Sequence, residues 1–286
     1  MHQTDIAITR QVLTAILVER LRADRGQFAD AFNTPSGTRT RHFICDNLFP
    51  PEIAAAIGNA FPKDYAGFKT RDDFRERKRT SVHLDNHPPI LKEVTFAFQS
   101  PEVIDEIGAI TGVSTLEPDP KLYAGGLSIM VRGDYLHPHI DNSHDSARQR
   151  YRRLNLLYYV SPDWTDANGG NFELWNDSVT EPKIIVSRFN RLVVMETNNH
   201  SCHSVNEVIC DRPRCCVSNY FFSKDSPTGR DYYHVTAFKG RPGTFNARAL
   251  FFIDAAVRNI AARTLKIGRG RKDIYVENDG DPRSET

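Results

Sequence analysis

The chain has 286 residues, 40% of them hydrophobic, and its 37 Lys and Arg nearly balance 36 Asp and Glu to leave a net charge of +1. That length accommodates one β-barrel domain with helical additions, and the near-neutral balance supplies no global field for nucleic acid or an anionic membrane, so neither partner is expected. Cysteines 45, 202, 210, 215 and 216 lack paired C-x-x-C spacing, as reduced thiols would.

Charged residues from Asp5 to Asp24 interrupt the N-terminal thirty, and no later stretch approaches the roughly eighteen apolar residues of a spanning helix. A soluble, cytoplasmic protein is the expectation. Val12, Leu13, Ile16, Leu17 and Leu21 fall at helical spacing after Thr4, and the pattern fades into Asn33-Thr34-Pro35. A second helix is predicted from 51 to 60, with Pro51 at its start and Pro62 beyond its stop. Two more are predicted over 89 to 98 and 101 to 110, the latter capped by Ser100 and ended near Gly112. Residues 1 to 120 therefore read as a mainly helical region that packs on a barrel formed by the remainder of the chain.

From about 121 the pattern changes to short apolar or alternating runs between Gly, Asp, Asn and Pro. Strands are predicted at 122 to 131, 135 to 140, 152 to 160, 171 to 175, 182 to 187, 191 to 197, 203 to 208, 214 to 223 and 231 to 238. That number suits a double-stranded β-helix, a cupin-like jelly roll, over 121 to 240, mainly β with flanking helices. Asn168-Gly169-Gly170 reads as a hairpin turn between two of these strands. After Asn246 a final helix carries Leu250, Phe251, Val257 and Ile260, and a polar, mobile tail runs from 268 to 286. Residues 241 to 286 thus make a helix and tail attached to one catalytic domain.

The residues with the most chemical content are His137-Pro138-His139-Ile140-Asp141. Residues two apart in a strand share a face, so His137, His139 and Asp141 are expected on one side, where two of the three can bind one metal; His137 reads foremost as a barrel-mouth histidine packed beside Pro138 rather than as a ligand or substrate contact. A His-x-Asp pair with a distant second His supplies the facial triad of a non-haem Fe(II) centre, which leaves coordination positions open for oxygen chemistry. The second imidazole is His200 or His203. His203 opens a β-prone run whereas His200 sits in a polar turn, so His203 is assigned.

Past Pro213 the strand alternates Arg214, Cys216, Ser218 and Tyr220 on one face. Arg214 with the Ser218 hydroxyl makes a clamp for the far carboxylate of a dicarboxylic cosubstrate, because guanidinium offers a planar fork of donors and keeps its charge. A pairing of Arg214 with Asp211 at the strand start is the competing reading. Asn155, Leu157 and Tyr159 share a face opposite Leu156, Tyr158 and Val160. Tyr159 offers a phenol to the same carboxylate or packs in the core, and Asn155 joins the candidate cosubstrate set.

In order and register, His139-Ile140-Asp141-Asn142, the run from Arg152 through Tyr158-Tyr159 to Trp164, Gly169-Gly170, Glu173-Leu174, His203-Ser204-Val205 and Arg214 resemble the prolyl 4-hydroxylase-like Fe(II)/2-oxoglutarate dioxygenases over about 120 to 224. The resemblance implies His139, Asp141 and His203 as iron ligands and Arg214 as the partner of the 2-oxoglutarate C5 carboxylate, with Tyr159 and Ser218 touching the same group. It also implies Fe(II), 2-oxoglutarate and dioxygen, admits ascorbate, and points to hydroxylation of an unactivated C–H bond with release of succinate and carbon dioxide. Met130-Val131-Arg132 stands where many members carry a Tyr, and Arg212-Pro213 expands the interval from distal His to Arg.

Two other classes fit parts of the pattern. A metal cupin without 2-oxoglutarate would use His137 and His139 with a Glu soon after, and none is present there; a jelly-roll binding module would need no metal triad. Cosubstrate binding separates them from an oxygenase. The substrate is a small molecule or a peptide. The basic runs 71 to 79 and 148 to 153 flank the expected mouth, and the commoner reading of such mixed runs is a solvated face.

Overall fold

The computed structural model describes residues 8–242, 251 and 274–276. In chain order its elements begin with helices α1 (Arg10–Ala23) and α2 (Arg25–Asn33), strand β1 (His42–Asp46), helix α3 (Pro51–Asn59), strands β2 (Lys69–Asp72) and β3 (Glu76–Ser81), and helices α4 (Pro89–Ala97) and α5 (Pro101–Thr111). The later elements are β4 (Gly126–Met130), β5 (Tyr135–Ile140), β6 (Tyr151–Tyr159), β7 (Phe172–Trp175), β8 (Pro182–Ile185), β9 (Arg191–Glu196), β10 (His203–Val205), β11 (Arg214–Ser223) and β12 (Ala237–Phe238).

The strands join one curled antiparallel sheet in the order β1-β9-β6-β11-β4-β3-β5-β10-β7-β8, with β2 beside β3 and β12 beside β5. The main fold expectation, a jelly roll with flanking helices, is met. The region before 121 is less helical than its hydrophobic pattern indicates, because β1, β2 and β3 enter the sheet from it. β3 spans the corner of the curl: Glu76 and Arg77 pair with Leu136 and Tyr135 of β5, while Arg79 to Ser81 pair with β4.

Helix boundaries follow local chemistry. The Thr9 side chain caps α1 on the Val12 amide, and the expected single opening helix is two, broken at Asp24. Pro51, Pro89 and Pro101 each occupy a first helical position, where the missing N–H costs nothing. Ser100 is the N-cap of α5 without a side-chain capping bond, and Gly112 ends that helix at φ 73°.

Alternation along the central strands divides two cores. Leu154, Leu156 and Tyr158 of β6, Leu192 and Val194 of β9, and Val217 and Phe221 of β11 pack outward against Leu13, Leu17, Leu21, Leu91, Val94 and Ile107 of the helices. The intervening residues, among them Tyr159, Val193, Met195 and Cys216, face the inside of the curl with Phe172, Leu174 and Val205. Each such side chain contributes about 2 kcal/mol of hydrophobic stabilisation, so the helical layer holds the sheet curved from outside and leaves its inner face to line a cavity.

Asn168-Gly169-Gly170 is not a hairpin. β6 and β7 are not neighbours in the sheet, and residues Asp166–Asn168 form a 3-10 turn instead. Gly169, at φ 66°, lies so close to the Glu207 carbonyl that a Cβ would sit 2.0 Å from its oxygen. The helix expected after Asn246 and the polar tail fall outside the described residues apart from Phe251 and 274–276; Phe251 is buried.

Candidate active site

His203 pairs directly with His139 across β10 and β5, bringing the two imidazoles to 4.2 Å between ring centroids. Asp141 follows β5 by one residue and puts one carboxylate oxygen 3.6 Å from His139 Nε2 and the other 3.8 Å from His203 Nε2. One ligand atom from each residue lies within 4.8 Å of the others, and all three residues are buried; among the described residues this is the one such cluster of His, Cys, Asp and Glu.

The tautomers follow from the hydrogen bonds. His139 Nδ1 meets the His137 carbonyl at 2.9 Å and His203 Nδ1 meets the Ser201 carbonyl at 2.9 Å. A carbonyl only accepts, so Nδ1 carries a proton in both rings, and each Nε2 faces Asp141, the atom left to coordinate a metal. Burial, with His139 alongside, pushes the His203 pKa down to about 4, which keeps it a neutral donor. Burial works to raise the Asp141 pKa, but Arg152 above all outweighs it and holds the carboxyl well below its ordinary range. Two neutral imidazoles and an anion are the donor set that a divalent first-row metal requires.

His137 does not join them. Leu136 pairs with Val205 while His139 pairs with His203, three steps on β5 against two on β10. The extra residue is a bulge at His137-Pro138 that breaks the two-residue alternation, so Leu136 and His139 share the cavity face. His137 instead packs on the rings of Tyr135 and Phe251. His200 is exposed beside Asp177.

The triad opens on a cavity of about 620 Å³ enclosed by β2 to β7, β10, β11 and the segment before β12. Arg214, Cys216, Ser218 and Tyr220 all line it, as do Asn155 and Leu157. Arg214 is 3% exposed, and its Nε donates to Ser187 Oγ at 3.0 Å, which donates on to the Gly170 carbonyl at 2.8 Å. Its Nη1 points at Met130 Sδ at 3.6 Å. No carboxylate of the described residues pairs with it; Asp211 pairs with Arg132 at the surface. A buried guanidinium on a cavity wall without a protein anion fits an anionic ligand. Tyr159 lies behind it, its ring 4.7 Å from the guanidinium carbon and its hydroxyl buried near Ser187.

Three contributors escaped the sequence reading. Ser187 orients Arg214 from a loop with no distinguishing pattern. Arg152, placed there in a solvated run, is 4% exposed, with Nη1 3.2 Å from Asp141 and Nη2 2.7 Å from Asn142 Oδ1. Tyr220 donates to Asp141 Oδ2 at 3.3 Å and accepts from Asn155 Nδ2 at 2.9 Å. Its place on the Arg214 face was the available signal.

The sequence profile of the 2OG-Fe(II) oxygenase superfamily matches residues 125–222. Over those residues the barrel strands are similar to that superfamily. Similar folds include a prolyl hydroxylase from Trichoplax adhaerens solved with a hypoxia inducible factor peptide (TM-score 0.55, 14% identity, covering 75% of this chain and 95% of that one). A prolyl-4-hydroxylase from Pseudomonas putida (TM-score 0.54, 12% identity, 69% and 97% covered) and a prolyl 4-hydroxylase from Phytophthora capsici (TM-score 0.52, 15% identity, 92% and 80% covered) share the fold. No curated protein sequence matches the chain. The match and the cluster of potential metal ligands together mark the chain as a dioxygenase that uses Fe(II), 2-oxoglutarate and dioxygen. No helix among the described residues is long and apolar enough to cross a membrane.

Proposed function

We propose that His139, Asp141 and His203 hold Fe(II), that Arg214 binds the C5 carboxylate of 2-oxoglutarate, and that the enzyme hydroxylates a C–H bond of a small molecule or a peptide. The observation that carries this reading is the coincidence in one cavity of a three-ligand cluster and a buried Arg without a protein anion. Three protein ligands leave half of an octahedral shell open, enough for a bidentate 2-oxo acid and dioxygen. When bound, the metal and cosubstrate supply the oxidation of an unactivated C–H bond, with succinate and carbon dioxide released.

The protein's own residues bind and orient. The carbonyls of His137 and Ser201 fix the imidazole tautomers, Ser187 aims the Arg214 fork, and Ser218 adds a hydroxyl on the same wall. Asn155 donates to Tyr220, which donates to Asp141, so it supports the carboxylate ligand from a cavity wall that also stays open to the cosubstrate. Leu136, Leu157, Phe172 and Val205 supply the apolar lining that keeps bulk water from this end of the reaction space. Tyr159 supports the Arg214 side chain from beneath.

Anaerobic titration of the Fe(II)-loaded protein with 2-oxoglutarate tests the assignment. The weak visible charge-transfer band of a chelated 2-oxo acid is expected, and it disappears in His139→Ala. Iron binding without that band moves the protein to the class of metal cupins that do not use 2-oxoglutarate.

A further inference from the structure

β3 turns Glu76, Lys78 and Thr80, two residues apart, into the cavity, and Arg71 stands opposite Lys78 on β2. Lys78 and Arg71 are only 22% and 25% exposed in their side chains, yet they share one carboxylate: Glu76 lies 2.8 Å from Lys78 Nζ and 3.5 Å from Arg71 Nη1. One anion neutralises one of two cations, and a partly desolvated surplus charge is unfavourable until a counter-ion fills the space.

The surplus survives loading of the site. Six Arg or Lys and four Asp or Glu line the cavity among the described residues. The two charges of Fe(II) cancel the two of 2-oxoglutarate, so an excess of two positive charges remains. Arg152 is engaged by Asp141 and Arg75 by Asp73, so one surplus charge stays with Arg214 beside the metal-ligand cluster and the other belongs to the β2–β3 hairpin, where Lys78 and Arg71 share Glu76. Thr80 pairs with Ser128 on β4 and both line the same wall, adding two hydroxyls beside the cations.

Resting on the oxygenase reading above, we propose that the substrate carries an oxyanion, a carboxylate or a phosphate, that docks on Lys78 and Arg71 with the hydroxyls of Thr80 and Ser128. Glu76 opposes Leu136 on β5, the cavity-facing neighbour of His139, so an anion anchored here holds the rest of a small molecule against the metal cluster.

The test is saturation-transfer NMR on the full chain loaded with Zn(II), a redox-silent stand-in, and saturating 2-oxoglutarate. The probes are methyl phosphate, isobutyrate and neutral isobutyramide. Signal at least fivefold stronger for either anion than for the amide is expected, and which anion leads identifies the group as phosphate or carboxylate. Lys78→Gln and Arg71→Gln should each reduce that signal at least fivefold, while Arg77→Gln, on the opposite face of β3 and paired with Asp72, leaves it unchanged. Transfer to the 2-oxoglutarate methylene protons, unchanged in the hairpin variants and lost in Arg214→Ala, shows that the site is folded and loaded. If 2-oxoglutarate binds but the anions do not exceed the amide, or if the Lys78 and Arg71 variants keep the anion signal, the proposal is overturned. If 2-oxoglutarate itself fails to bind the parent protein, the oxygenase assignment falls and the anion site falls with it.

Discussion

Arg152 Nη1 lies 3.2 Å from Asp141 Oδ1 in the interior of the barrel, its guanidinium stacked 4.3 Å over the Tyr220 ring. The carboxylate proposed as a metal ligand is therefore already neutralised by a cation before any metal arrives. Removing one partner of such a buried pair costs about 3 kcal/mol or more, but here a divalent ion can replace the lost partner.

Arg152→Met is accordingly expected to lower the melting temperature of the metal-free protein by on the order of 10 °C and that of the Zn(II)-loaded protein by clearly less. Calorimetry with and without Zn(II) measures the difference. Equal losses in both states would show that Arg152 only packs the barrel and does not act on Asp141.

Arg214 and Ser187 should separate cosubstrate binding from metal binding. Losing a charge-assisted contact costs about 2 to 3 kcal/mol, so Arg214→Ala is expected to weaken 2-oxoglutarate binding roughly 30- to 150-fold without changing metal affinity. Ser187→Ala removes only the hydroxyl that orients Nε and should cost about fivefold, near 1 kcal/mol. Titration of the Fe(II) protein gives both constants, and a parallel fall in metal affinity would contradict the division of labour.

The distal ligand can be checked by a matched pair. His203→Ala should release the metal and end turnover, whereas His200→Ala, exposed beside Asp177, should keep both within about twofold, the behaviour of an ordinary surface substitution. Metal content after gel filtration and succinate release report the two properties. The reverse result would move the second imidazole to the loop.

How far the site could be read in advance depended on burial. Arg214, Cys216, Ser218 and Tyr220 were legible as one face because the alternate residues of β11 pack against helices, which imposes a two-residue period. His137 was given the wrong face because a bulge at His137-Pro138 shifts that period by one; Pro138 was the local signal, since strands tolerate proline mainly at edges and bulges. β2 and β3, Lys-Thr-Arg-Asp and Glu-Arg-Lys-Arg-Thr-Ser, were missed as strands since they line a polar cavity and carry no apolar alternation. Arg152 looked solvated for a related reason: its partner lies eleven residues away in sequence, and only the fold shows that the charge is matched.

Gly169 and Gly229 offer a controlled test of the tight turn. Both have positive φ, 66° and 68°, but a Cβ at 169 would stand 2.0 Å from the Glu207 oxygen while one at 229 meets nothing within 4 Å. Gly229→Ala is expected to cost only the left-handed backbone penalty, about 1 kcal/mol, and Gly169→Ala about 3 kcal/mol or more. Urea denaturation at neutral pH measures both. Similar values would show that the backbone around Glu207 yields to the methyl group.

Glu76 predicts a pH dependence of stability. Its burial alone would raise the carboxyl pKa, but Lys78 and Arg71 outweigh it and bring the pKa down to about 2, whereas an unfolded glutamate titrates near ~4.3. Because the folded value is the lower one, the ionised carboxylate stabilises the fold fully above the unfolded pKa, and that contribution drains away as pH falls from there toward about 2. Glu76→Gln lacks it at every pH. Urea midpoints of the variant should therefore lie below those of the parent at pH ~6 and converge on them between pH ~4 and ~2, the window set by the two pKa values. A gap that stays constant through that window would mean that Glu76 holds the hairpin by shape, with Lys78 and Arg71 indifferent to its charge.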